Sequence, residues 1–141
     1  MESKRDTLNQ LLRDRGITPT QQRLEIAELL FSRRQHLSAD QVLGRINAAG
    51  GNVSKATVYN TLGLFADKGL IRTVIADSTR VFYDSNTRPH HHFYDTDSGR
   101  LTDIEMDDVQ LHQLPDIPEG REVEGVDIIV RLRPVPPTDS D

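Results

Sequence analysis

"SKATVYNTLGLFADKGLIRTVIADSTRVFYD", residues 54–84, changes its hydrophobic period halfway along. In the first half Val58, Leu62 and Phe65 recur at spacings of three and four, the mark of a helix with one buried face. Ser54 is a fitting N-cap and Gly69 ends the run. In the second half two β-rich runs, 70–75 and 80–84, flank a polar turn at 76–79, which is a hairpin signal. A helix that leads into a two-stranded ribbon predicts the end of a winged helix-turn-helix, whose recognition helix, here 54–68, enters the major groove of DNA. Its expected exposed positions are Lys55, Thr57, Tyr59, Asn60 and Thr61; asparagine suits adenine edges, and lysine or tyrosine suits phosphate. A small helical bundle with solvated charges is the competing reading of this pattern, and winged helices also occur as protein-binding modules.

Upstream, three more amphipathic runs read as helices. Leu8, Leu11 and Leu12 share one face closed by Gly16. "TPTQQRLEIAELLF", residues 18–31, is read as a helix entered through Thr18 and Pro19, with Leu24, Ala27, Leu30 and Phe31 buried. "LSADQVLGRINAAGG", residues 37–51, has Ser38 as cap, Val42, Leu43 and Ile46 inside, and Gly50 with Gly51 at its end.

Charge is distributed unevenly. Residues 1–75 carry a net +4 and the remainder −9, which together give −5. Such a split suggests one half that meets an anion and another with a different task. The chain has no cysteine, so disulfides, thiolate zinc sites and thiol nucleophiles are excluded, and any metal must bind through His, Asp or Glu. No apolar run approaches the roughly 18 residues needed to cross a bilayer, and the amino terminus lacks a secretory signal, so a cytoplasmic protein with no membrane partner is expected.

Residues 85–89, "SNTRP", read as a hinge between the two charge regimes. Beyond them "HHFYDTDSGRLTDI", residues 91–104, predicts two strands around a turn at 97–99. "DDVQLHQL", residues 107–114, is read as a short helix containing His112, and "REVEGVDIIVRLRPV", residues 121–135, as the longest β-rich run. This second unit has too little core to stand comfortably alone, so it is expected to share its core with a second copy. A two-fold homodimer would also set two recognition helices on successive turns of double-stranded DNA. The fold class expected is therefore α+β: an N-terminal winged helix-turn-helix over 1–84, the hinge, a small α/β dimerisation domain over 90–133, and a disordered tail over 134–141.

Three consecutive histidines follow the hinge. Along a strand His90 and His92 point to one face and His91 to the other, where solvent is expected. Two imidazoles on one face chelate zinc, iron, manganese or nickel. Asp84 before the hinge, Asp103 on the next strand and His36, read at the end of the second helix, would complete a mixed nitrogen and oxygen sphere spanning the hinge. His36 could instead cap that helix, and Asp84 and Asp103 could be ordinary strand-end acids. A His, His, Asp set also describes a metalloenzyme, but five candidate ligands leave little open coordination and no separate general base is apparent, so no enzyme activity is expected. A metal-independent DNA-binding dimer is a third reading.

"HLSADQVLGRI", "SKATVYNTLGLFADKGLI" and "HHHFYDTDSGRLTDI" together resemble the ferric uptake regulator family, over about residues 5–133. The resemblance implies a dimeric, metal-responsive transcription factor acting on an operator. It puts one divalent metal per chain, iron, manganese or zinc, on His36, Asp84, His90, His92 and Asp103. Most of the family holds a structural zinc on two CxxC pairs; here Asp95 and Ser98 stand in the first pair and the second is absent, so no structural zinc held by four cysteines is expected. Pro89 and Gln110 likewise stand where a second metal site would need His and Glu. His90, His91, His92 and Phe93, with "FYDSN" before them, are most similar to the iron response regulator subgroup, which leaves haem on His90, His91 or His92 as an alternative ligand. At the recognition helix Asn60 replaces a common arginine, and Thr18 falls near the usual basic residue before the second helix; Arg15 and Arg23 are then the candidates to restore DNA contacts. An altered operator preference follows, because phosphate contacts supply most of the affinity and base contacts choose the sequence.

Overall fold

Every helix of the amino-terminal half begins at a side chain that caps it. The computed structural model describes residues 3–137, and the chain divides into two units between Thr87 and Arg88. In unit one, α1 (Lys4–Asp14) starts from a capping box in which Ser3 and Asp6 each accept the other's backbone N–H. α2 (Gln21–Phe31) starts from Thr20, whose hydroxyl accepts the Arg23 N–H at 3.2 Å. The expected start at Thr18 and Pro19 is thus two residues early. α3 (Ala39–Ala48) repeats the capping box with Ser38 and Gln41, and α4 (Lys55–Asp67) is capped by Ser54. Their apolar faces meet in one core in which Leu12, Ile26, Leu30, Val42, Val58, Leu62 and Phe65 are fully buried. Thr61, expected outside, is buried with them.

The wing follows α4 as β2 (Arg72–Asp77) and β3 (Arg80–Asp84), antiparallel as the hairpin signal required. A two-residue strand, β1 (His36–Leu37), was not foreseen. It pairs with the far side of β3, giving the sheet order β1-β3-β2. His36 therefore lies in a strand, five residues past the last residue of α2, and not at a helix terminus. Its register partner is Asp84.

Unit two is built on β4 (His91–Asp95), flanked by antiparallel β5 (Leu101–Ile104) and parallel β6 (Ile129–Leu132). The helix expected over 107–114 is only a single 3₁₀ turn, Met106–Asp108, and the long β-rich run contributes only the four residues of β6. Pro115 and Pro118 interrupt the backbone hydrogen bonding, and Leu111, Leu114, Ile117, Val123 and Val126 stay exposed. Their period found no surface within one chain to bury against. Of the expected tail, residues 134–137 are exposed without regular structure, and 138–141, like residues 1 and 2, lie outside the described residues. No described helix is long and apolar enough to cross a membrane.

Gly69 ends α4 at φ 72°, and a Cβ there would sit 3.1 Å from the Arg15 guanidinium. Gly44, inside α3, would point a Cβ into open space. Gly69→Ala should therefore destabilise the protein by about 1–2 kcal/mol, from backbone strain and the displaced arginine, whereas Gly44→Ala should stabilise it by roughly 0.5–1 kcal/mol through helix propensity. Urea unfolding of both variants checks the opposite signs.

Candidate metal centre and nucleic-acid surface

The pairing of β1 with the end of β3 brings a histidine to a buried carboxylate. Asp84 is 0% exposed. Its Oδ1 accepts the Asn86 N–H at 2.8 Å, and its Oδ2 lies 3.1 Å from His36 Nε2. The carboxylate is held in place by the backbone just after its own strand, and the imidazole reaches it from the neighbouring strand.

Unit two contains a second set. His92 pairs in register with Asp103 across β4 and β5, while His90 precedes β4 by one residue. His90 and His92 fall on the same side, as alternation predicts, with ring centroids 4.4 Å apart. Both rings are buried, and their Nε2 atoms lie 3.3 Å and 3.4 Å from one oxygen, Asp103 Oδ1. The ligand atoms of these three residues lie within 4.8 Å of one another.

The tautomer of His90 decides what this cluster wants. Its Nδ1 sits 2.5 Å from the Arg88 carbonyl oxygen, which only accepts, so Nδ1 carries hydrogen and donates. In the neutral ring Nε2 then presents a lone pair toward a carboxylate oxygen that also presents lone pairs. A cation placed between them would satisfy both sets of lone pairs. A backbone carbonyl orienting one ring nitrogen so that the other can ligate is the arrangement expected behind metal-bound histidines. Within unit two, the two imidazoles and the Asp103 carboxylate are donors of the kind a divalent first-row ion takes.

His91 departs from expectation. It is buried, only 3% exposed, and its Nδ1 accepts the Ile128 N–H at 3.0 Å. Its task is to tie β4 to the residue that leads into β6. The sequence could not show this, because the partner is 37 residues away. His112 lies exposed on the irregular segment. At Asp95 and Ser98 the turn between β4 and β5 is held without thiolates: Asp95 Oδ1 accepts the N–H groups of Asp97 and Ser98 at 2.9 Å and 3.1 Å.

On α4, Lys55, Tyr59 and Asn60 are exposed and Thr57 is half-buried, its hydroxyl accepting from Ser54 at 2.9 Å. The Lys55 ammonium lies 5.7 Å from the Tyr59 ring centroid, and the Tyr59 hydroxyl donates to Asp40 on α3 at 3.3 Å. Asp40 was missed, since an acid in a first helical turn looks like a response to the helix dipole alone. Burial pushes the Tyr83 phenol above its ordinary range, and the nearby Tyr59 adds to the shift. Arg15 and Arg23 each use a guanidinium nitrogen inside the unit: Arg15 Nη1 donates to the Lys68 and Gly69 carbonyls, and Arg23 Nη1 to the Thr18 carbonyl at 2.8 Å. Arg15 thus holds the end of the helix whose surface faces solvent.

Four capped helices running into a wing, followed by a small sheet that carries histidine and carboxylate donors, define a winged-helix protein with a candidate metal-ligand set. The chain belongs to the ferric uptake regulator family, whose sequence profile matches residues 14–131. It is 32% identical over 94 residues to the peroxide-responsive repressor PerR of Staphylococcus aureus, a match that covers 67% of this chain and 64% of that relative's length. Its fold is similar to the ferric uptake regulator of Vibrio cholerae, with a TM-score of 0.72 at 23% identity over 89% of this chain and 98% of the other. It is also similar to the ferric uptake regulator from Pseudomonas aeruginosa with manganese, with a TM-score of 0.68 at 25% identity over 89% and 96% of the two chains.

His91→Ala should release the Ile128 amide and destabilise unit two by roughly 1–3 kcal/mol, the cost of an orphaned buried donor. Hydrogen exchange at Ile128 should accelerate while metal affinity stays within about twofold of wild type, because Nδ1 of His91 is already engaged in the fold.

Proposed function

We propose that this protein is a metal-responsive transcriptional regulator, a cytoplasmic homodimer whose affinity for a double-stranded DNA operator is set by one divalent cation per chain. The cation, iron, manganese or zinc, would be held jointly by His36 and Asp84 of unit one and by His90, His92 and Asp103 of unit two. The observation that carries this reading is the convergence of His90 Nε2 and His92 Nε2 on Asp103 Oδ1 while Nδ1 of His90 is spent on the Arg88 carbonyl. The buried Asp84 beside His36 supplies the matching pair in the other unit. When bound, the cation supplies positive charge and fixed coordination directions that neither half has alone.

Linkage then gives the regulation. Donors drawn from two units that meet in sequence within the segment 85–89 would make ion binding favour one arrangement of those units, and DNA binding that favours the same arrangement would be strengthened in equal measure. The DNA face is assigned to Lys55, Thr57, Tyr59 and Asn60, with Arg15 and Arg23 holding the helices that present it. The exposed Phe93, Val130 and Leu132 and the apolar residues of the irregular segment are the surface a second copy would cover. The name of the staphylococcal relative, a repressor, favours repression. The triple histidine keeps an iron response role as the finer reading, but His90, His91 and His92 are all buried and offer no open face to a porphyrin, which favours a simple ion over haem.

Manganese titration of wild type, His36→Ala and His92→Ala tests the shared site. Wild type should bind one ion per chain, and each variant should bind at least about tenfold more weakly, with the metal dependence of operator binding lost in step. A His36→Ala protein that titrates like wild type would refute joint ligation.

A further inference from the structure

We infer that Asp40 fixes the Tyr59 hydroxyl so that the recognition helix presents a hydrogen-bond acceptor to DNA, which makes Asp40 a specificity-determining positioning residue. The inference rests on the DNA-binding reading above. A phenol has one hydrogen and two lone pairs. In this structure the hydrogen is donated to Asp40 Oδ1, and the Lys55 ammonium lies against the ring one helical turn away. Tyr59 is 43% exposed, so its oxygen remains within reach of a ligand, but it offers lone pairs.

That difference selects among DNA groups. Phosphate oxygens, guanine N7 and O6, adenine N7 and thymine O4 are all acceptors, and a tyrosine with a free hydrogen can donate to any of them. While its hydrogen is engaged by Asp40 Oδ1 at 3.3 Å, Tyr59 offers a ligand its lone pairs. In the major groove its partners are then the exocyclic amino groups, N6 of adenine and N4 of cytosine. The Asp40 charge also disfavours close approach of a phosphate at this point, so affinity is given up for discrimination.

The placement of Asp40 has an ordinary explanation as well, because a carboxylate in the first turn of α3 suits the helix dipole. That explanation does not require contact with a residue nineteen positions away on the other helix of the helix-turn-helix pair. The capping box of Ser38 and Gln41 fixes the first turn of α3, and the buried Val58 fixes α4 beside Tyr59. The hydrogen bond joins two anchored frames.

The test uses the full-length, manganese-loaded protein and a randomised library of duplexes of about twenty base pairs. From the duplex that wild type selects, each adenine is replaced in turn by purine and each cytosine by 2-pyrimidinone, which removes only the exocyclic amino group. At one position in each half-site wild type should lose about five- to tenfold in affinity. Asp40→Ala and Tyr59→Phe should be indifferent to that replacement, and Asp40→Ala should bind unrelated duplexes more tightly. Asp40→Asn, whose amide oxygen still accepts from the phenol, should keep most of the wild-type preference. Equal helix content and thermal midpoints show that the variants are folded. The inference is overturned if no amino group matters to wild type, or if Asp40→Ala discriminates as wild type does. If wild type selects no sequence and binds no duplex with or without manganese, it is the DNA-binding reading that has failed.

Discussion

A carboxylate with no exposure to water governs this molecule. Moving an unpaired carboxylate into the interior costs an amount comparable with the whole stability of a small domain, so Asp84 must be met by hydrogen-bond donors or positive charge. The Asn86 amide meets one oxygen and His36 the other. Because Asp84 is the last residue of the wing strand β3, satisfying it also fixes β1, the end of the wing and the start of the segment leading into unit two. At Asp103, which is partly exposed, two buried imidazoles converge on one oxygen. Acids placed in this way are the carboxylates of the proposed cation site, where a bound ion would add positive charge beside them.

The amino-terminal unit is organised to present α4. Capping residues set where each helix starts, the apolar faces fix their packing, and Arg15 holds the Lys68 and Gly69 carbonyls at the far end of α4. The exposed face is not a general basic patch. Lys55 lies against Tyr59 and Asp40 takes its hydroxyl hydrogen, so charge of both signs stands on the surface proposed to meet DNA. On the proposed DNA face such mixed charge would trade uniform attraction to phosphate for choice among bases.

Helices and hairpin were legible in the sequence because their signals are local. Ser38 and Ser54 cap within three residues, and the period of Val58, Leu62 and Phe65 needs no tertiary knowledge. The ligand candidates were also legible, through the HxH spacing and the resemblance those residues carry. What could not be read depends on distant partners. The strand character of His36 comes from its pairing with β3, the burial of His91 from Ile128, and the role of Asp40 from Tyr59. The apolar residues between 109 and 128 show the limit from the other side, since a pattern specifies an element only when a surface exists to bury it.

X-ray absorption of the cobalt- or manganese-loaded protein tests the central claim most directly, because imidazole rings give a multiple-scattering signature that counts them. Joint ligation predicts three imidazoles in wild type and two in His36→Ala, with mixed nitrogen and oxygen neighbours in both. An imidazole count unchanged by His36→Ala would mean that His36 and Asp84 are an ordinary buried pair, and the coupling of metal to DNA through both units would fall with it.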